Sequence, residues 1–192
     1  QDGAAVYGVS DATTNTMALA KLDIATGAET LLMVSEDADI FPIFSFKNGR
    51  AAELIGASFE YDQLGSHFMT EVQDKAASST IQGLLAAFPN KAVKLTSATA
   101  DNKLIILEVA SANDPRAFYL FDAEKKQVGF LLDAAPWLAN QALPQTRSIT
   151  YKTRDGQEIV ALLTLPHDRE AKNLPLVLMP HGGPHGIRDS MG

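Results

Sequence analysis

Leu174-Pro175-Leu176-Val177-Leu178-Met179-Pro180-His181-Gly182-Gly183-Pro184-His185 is the stretch on which the reading of this chain turns. A compact apolar run predicts a strand over Leu174–Met179 of the kind buried on both faces. It runs straight into Gly182-Gly183. Two glycines directly after a buried strand make a loop whose backbone can approach another group closely. Backbone N–H groups in such a loop can point at charge developing on an oxygen. His181, His185 and Asp189 stand four apart, a spacing that puts metal ligands on one helix face. Pro184 and the two glycines oppose a helix there, so no metal is expected, and no cofactor is implied.

Working outward, Ser148–Thr153 and Glu158–Leu165 predict a hairpin turning at Asp155-Gly156. Pro136 and Pro144 punctuate the sequence before it, and the charge changes there too. Residues 1–144 hold 10 Lys+Arg against 18 Asp+Glu, a net of −8; residues 145–192 hold 6 against 5, a net of +1. A Pro-containing polar stretch commonly links domains, so the boundary is placed at 144/145. Pro136 and Trp137 read as packing between the two units.

The first unit reads as small antiparallel β units. Met17–Ile24 and Glu29–Val34 are strands about a Thr26-Gly27 turn. Pro42–Phe46 and Ala51–Phe59 form a second hairpin about Asn48-Gly49, a pair suited to the positive φ angles of a tight turn. Ala92–Thr96, Leu104–Ser111, Arg116–Phe121 and Gln127–Leu132 give four more strands. One helix is expected over 71–88, where Val72, Ala76, Ile81, Leu84, Leu85 and Phe88 recur near helical spacing and Pro89 ends the run. Leu22-Asp23 and Phe121-Asp122 start similar hairpins 99 residues apart, about two propeller blades of 40–50 residues. The reading is an inner strand, an Asp-capped turn and an outer strand, twice; against it stands the general likeness of β-hairpins.

Composition closes off several function classes. The chain has 192 residues, a net charge of −7 and a pI of about 5.0. That opposes a polyanionic partner, whether nucleic acid or an acidic membrane surface. No apolar run reaches the roughly 18 residues of a membrane helix. There is no cysteine, hence no disulfide, thiolate metal site or cysteine nucleophile; cytoplasm and periplasm fit equally. Asp37, Asp39, Glu60 and Asp62 form no D-x-D-x-D-G calcium loop and read as solvated surface. His67 and His167 have no partner legible in sequence.

The Leu174–His185 stretch, followed by Arg188-Asp189-Ser190, resembles the oxyanion loop of the prolyl oligopeptidase family, closest to its acylaminoacyl-peptidase and dipeptidyl peptidase branches. Ile149–Gly156 and Ala161–Pro166 resemble the first hairpin of that family's hydrolase domain, and Asp114–Asp122 its last propeller blade. The resemblance covers residues 90–192 well and the rest loosely. It implies a mainly β chain: C-terminal blades of a β-propeller over 1–144, then the first strands of an incomplete α/β-hydrolase domain over 145–192. It also implies a serine peptidase acting on peptide substrates by acyl transfer. Gly182 and Gly183 match the oxyanion-loop glycines, with the Gly183 N–H the expected donor. His181 sits where some branches carry a Tyr facing the oxyanion; packing that orients the loop is the favoured role, donation through a ring nitrogen the other. Arg188 and Asp189 match a structural charged pair. Met191 departs from the usual Trp. No adjacent Glu pair of the dipeptidyl type occurs.

The family's nucleophile is a Ser in a G-x-S-x-G elbow, with the acid and base after it in sequence. No such motif is present: Gly8-Val9-Ser10-Asp11-Ala12 and Gly56-Ala57-Ser58-Phe59-Glu60 lack the closing Gly. The chain is therefore expected to be inactive by itself, with the triad on sequence beyond it. Its ends, Gln1 and Gly192, read as cuts within a longer protein. Open sheet edges predict self-association. An esterase- or lipase-like α/β-hydrolase, or a non-catalytic propeller-type binding module, stays open as an alternative.

Overall fold

The computed structural model describes residues 3–61, 64–138, 141–183 and 189. Twelve strands form four small antiparallel sheets among them, with one α-helix. The chain is mainly β, as the sequence predicts.

The first sheet has the order β1 (Ala5–Ser10), β2 (Ala18–Asp23), β3 (Glu29–Met33). The second is β4 (Ile40–Lys47), β5 (Arg50–Glu60), β6 (Leu64–Phe68). Asp39 stitches the two together: its Oδ1 accepts from Met17 N at 2.9 Å, and Ile40 N donates to Met17 O at 2.8 Å. Leu19, Ile40, Leu54 and Ala57 are buried between these sheets. Asn48 and Gly49 close β4–β5 with φ of 53° and 71°, the two-residue turn whose twist matches the strands.

The helix α1 (Lys75–Ala86) is shorter than the expected 71–88, because its start is fixed by side chains rather than by apolar spacing. Asp74 caps it, Oδ1 accepting from Ala77 N at 2.9 Å. Glu53 on β5 takes the two N–H groups just outside, Gln73 at 2.7 Å and Asp74 at 2.9 Å. A carboxylate there satisfies orphan donors and meets the positive end of the helix dipole. Val72 precedes the helix yet stays buried with Ile55 and Ile81.

The third sheet is a four-stranded meander: β7 (Ala92–Ala98), β8 (Leu104–Ser111), β9 (Asp114–Asp122), β10 (Gln127–Asp133). Alternation along β8 buries Ile105, Leu107 and Val109, opposite Phe121, Tyr119 and Ala117 of β9. Leu84 of α1 joins that face, and Phe88 lies on Tyr119 with ring centroids 4.8 Å apart. The Asp-capped turns seen in sequence both form. Asp23 Oδ1 accepts from Thr26 N at 2.8 Å, and Asp122 Oδ1 from Glu124 N and Lys125 N at 3.0 Å. In both places the Asp closes the hairpin leading to the last strand of its sheet.

The fourth sheet is the hairpin β11 (Gln145–Lys152), β12 (Glu158–Leu165), paired only within itself. Two expectations need correction. Leu174–Met179 pairs with no strand among the described residues, and Leu176 to Met179 are 76–84% exposed. An apolar run becomes a ladder strand only when neighbours supply backbone partners, and no described strand lies beside it. Trp137, expected to pack between units, is 72% exposed on a single 3-10 turn, Pro136–Leu138.

Candidate functional site

The chain leaves β12 at Leu165 and reaches His181 through residues that are exposed apart from half-buried Pro166 and Leu174. His181, Gly182 and Gly183 are all exposed. Neither glycine has a positive φ, and a Cβ added at either would meet nothing within 4 Å. Backbone conformation and crowding therefore explain neither glycine. Their amide N–H groups bond to nothing among the described residues. Such a loop leaves room for a reacting group to come against the main chain.

His181 turns back on the loop, its Nδ1 lying 2.6 Å from Gly182 O. A carbonyl only accepts, so Nδ1 is the donor in this contact. The contact ties the ring to the loop's own backbone. Asp189 is exposed. Arg188, His185 and Met191 lie outside the described residues, and with them the expected Arg188–Asp189 pair.

The near-miss serines sit in structural positions. Ser58 is in mid-strand on β5, and Ser10 ends β1 with its Oγ accepting from Ala12 N at 3.3 Å. Among the described residues no cluster of three or more His, Asp or Glu side chains is placed to hold a metal ion.

The shifted acids all serve turns. Thr26 holds the Asp23 carboxyl below the usual carboxylate range, Thr99 does so for Asp101, Lys125 for Asp122 and Thr153 for Asp155. Asp114 is lowered by its hydrogen bond from Lys91, whose Nζ is 3.0 Å away. A carboxyl lowered on folding stabilises above the ordinary aspartate pKa of about 3.9 and loses that contribution as pH falls through its folded value. Asp114→Asn is therefore expected to lower the melting temperature at pH 7, with the gap to the parent closing below about pH 4. An unchanged gap across that range would remove the Lys91–Asp114 pair from the account.

One pairing was invisible in sequence. The Asn113 carboxamide, in the β8–β9 turn, bonds twice to the main chain of Thr146 at the start of β11.

No profile of a known protein family matches the sequence. Over its full length the chain is 28% identical to dipeptidyl aminopeptidase BIII of Pseudoxanthomonas mexicana, of which it covers 28%. Its fold matches a chain from a structural study of two prolyl endopeptidases: TM-score 0.51, 13% identity, 88% of this chain and 24% of that one. The chain thus spans about a quarter of the length of both of these proteins. The match to a dipeptidyl aminopeptidase agrees with the resemblance to the prolyl oligopeptidase family, and the structural match agrees with it in fold.

Proposed function

We propose that this chain is part of a serine peptidase that hydrolyses peptide bonds by acyl transfer. In this reading residues 1–144 are the last blades of a propeller and residues 145–192 open an α/β-hydrolase unit. The observation that carries it is the pair of glycines, Gly182 and Gly183, where neither φ nor packing asks for glycine. An oxyanion loop supplies that reason: the tetrahedral intermediate must approach the backbone, and a side chain would obstruct it. Gly183 N–H is the donor, and His181, committed through Nδ1 to Gly182 O, orients the loop. The nucleophile, base and acid act from sequence beyond Gly192. The change of sheet at Gln145 and the charge contrast across it support the division. No cofactor enters, and the substrate is a peptide. The apolar β10 edge, with Phe130, Leu131 and Leu132 exposed, favours self-association when residues 1–192 stand alone.

A fluorophosphonate probe tests this reading. The 192-residue chain is expected to stay unlabelled, having no serine in a nucleophile elbow, whereas the protein extended beyond Gly192 is labelled on a single serine. Labelling of the short chain, or none of the extended protein, overturns it.

A further inference from the structure

We infer that Asn113 is a latch that fixes the β11–β12 hairpin to the four-stranded sheet, and so sets the angle at which the second unit follows the first. Asn113 Nδ2 donates to Thr146 O at 3.1 Å, and its Oδ1 accepts from Thr146 N at 2.5 Å. This closes a contact between residues 33 apart.

The pattern of β11 shows why Thr146 is available. It faces Thr164, and the two Oγ1 atoms lie 2.9 Å apart. At the far end of the hairpin, Thr153 N donates to Gln157 O at 2.9 Å. In an antiparallel pair the hydrogen-bonding residues alternate. The odd-numbered residues of β11 therefore bond to β12, and Thr146 directs its N–H and C=O to the open edge. Asn113 occupies that edge as the peptide group of a neighbouring strand would. It satisfies a donor and an acceptor at once from two separate atoms of one planar group, as a peptide does; an ammonium group has no acceptor to offer.

The turn that presents Asn113 is itself held. Ser111 Oγ accepts from Asn113 N at 3.2 Å and Asp114 N at 3.1 Å, and donates to Asp114 Oδ2 at 3.2 Å. Lys91 reaches the same carboxylate oxygen from the start of the sheet. The carboxamide is thereby preorganised on a rigid turn, so less ordering entropy opposes the contact. Since β11 and β12 pair only with each other, this two-point contact gives the hairpin a directional tie to the sheet. The role rests on reading residue 145 onward as a separate unit. It makes Asn113 a positioning residue.

The absence of cysteine makes the test direct. Spin labels on Lys94→Cys, exposed on β7, and Arg154→Cys, exposed in the β11–β12 turn, report the distance between sheet and hairpin. A single narrow distribution is expected in the otherwise unsubstituted chain, and loss of the narrow peak in both Asn113→Ala and Asn113→Asp. The aspartate variant keeps the shape and the acceptor and loses only the donor to Thr146 O. Distributions unchanged in both variants overturn the latch. If a variant unfolds by circular dichroism, amide exchange in the unsubstituted chain decides: protection of Thr146 N–H matching the β11–β12 ladder supports it. Exchange as fast as at the open-edge amides of Ser148 and Thr150 overturns it. Fluorophosphonate labelling is indifferent to this distance, so the latch and the peptidase reading fail separately.

Discussion

Truncating Leu107 to alanine is expected to cost about 3–4 kcal/mol of folding stability. Leu107 is fully buried at the middle of β8, between Leu95 on β7 and Tyr119 on β9. Leu84 and Phe88 cover it from the helix side. The loss combines the transfer free energy of the removed methyl groups with a cavity that paired strands cannot collapse to fill. Leu131→Ala, exposed on β10, is expected to stay within about 0.5 kcal/mol. Urea unfolding with an unchanged m-value measures both. A Leu107→Ala cost below about 1 kcal/mol would mean that the meander face is not a packed core.

The second large effect is a gain of one carbon. Gly56 lies in β5 between Ile43 of β4 and Phe68 of β6. A Cβ there would sit 2.5 Å from His67 O and 3.1 Å from Phe68 Cα. Both are backbone atoms of a paired strand, so no rotamer change relieves the clash. Glycine inside a strand marks such a close backbone approach. Gly56→Ala is expected to destabilise by about 3 kcal/mol, the upper range for overpacking, and to loosen β6. Amide exchange of β6 should accelerate more than that of β8. Wild-type stability would show that β5 and β6 are not this close.

Why some elements were legible and others were not follows from where their information lies. The Asn48-Gly49 and Asp155-Gly156 hairpins are decided by a few adjacent residues, and each forms at the expected place. The Asp23 and Asp122 turns were visible for the same reason. β6 was missed: Leu64-Gly65-Ser66-His67-Phe68 has little strand character, and only pairing with β5 makes it one. β1 was missed as well; it is a strand through its register with β2. Leu174–Met179 shows the converse, having the composition of a buried strand and no partner strand among the described residues. At the site, the two glycines could be read because their oddity is local. Asn113 could not, because its partner is 33 residues away and an Asn in a turn usually serves that turn.

The central claim is that the Gly183 N–H holds the oxyanion. In the protein extended beyond Gly192, Gly183→Pro removes that N–H, while also fixing φ at 183 and restricting Gly182. Removing one oxyanion donor costs about 10²–10³ in kcat. That loss is expected here on a peptide substrate, with KM nearly unchanged, because the interaction forms only in the transition state. Gly182→Ala keeps the Gly183 N–H but puts a side chain where the intermediate approaches, so it is expected to lower activity as well; Leu131→Ala, an exposed substitution on β10, is the control and should retain most activity. A Gly183→Pro enzyme with kcat within about twofold of the parent would contradict the account.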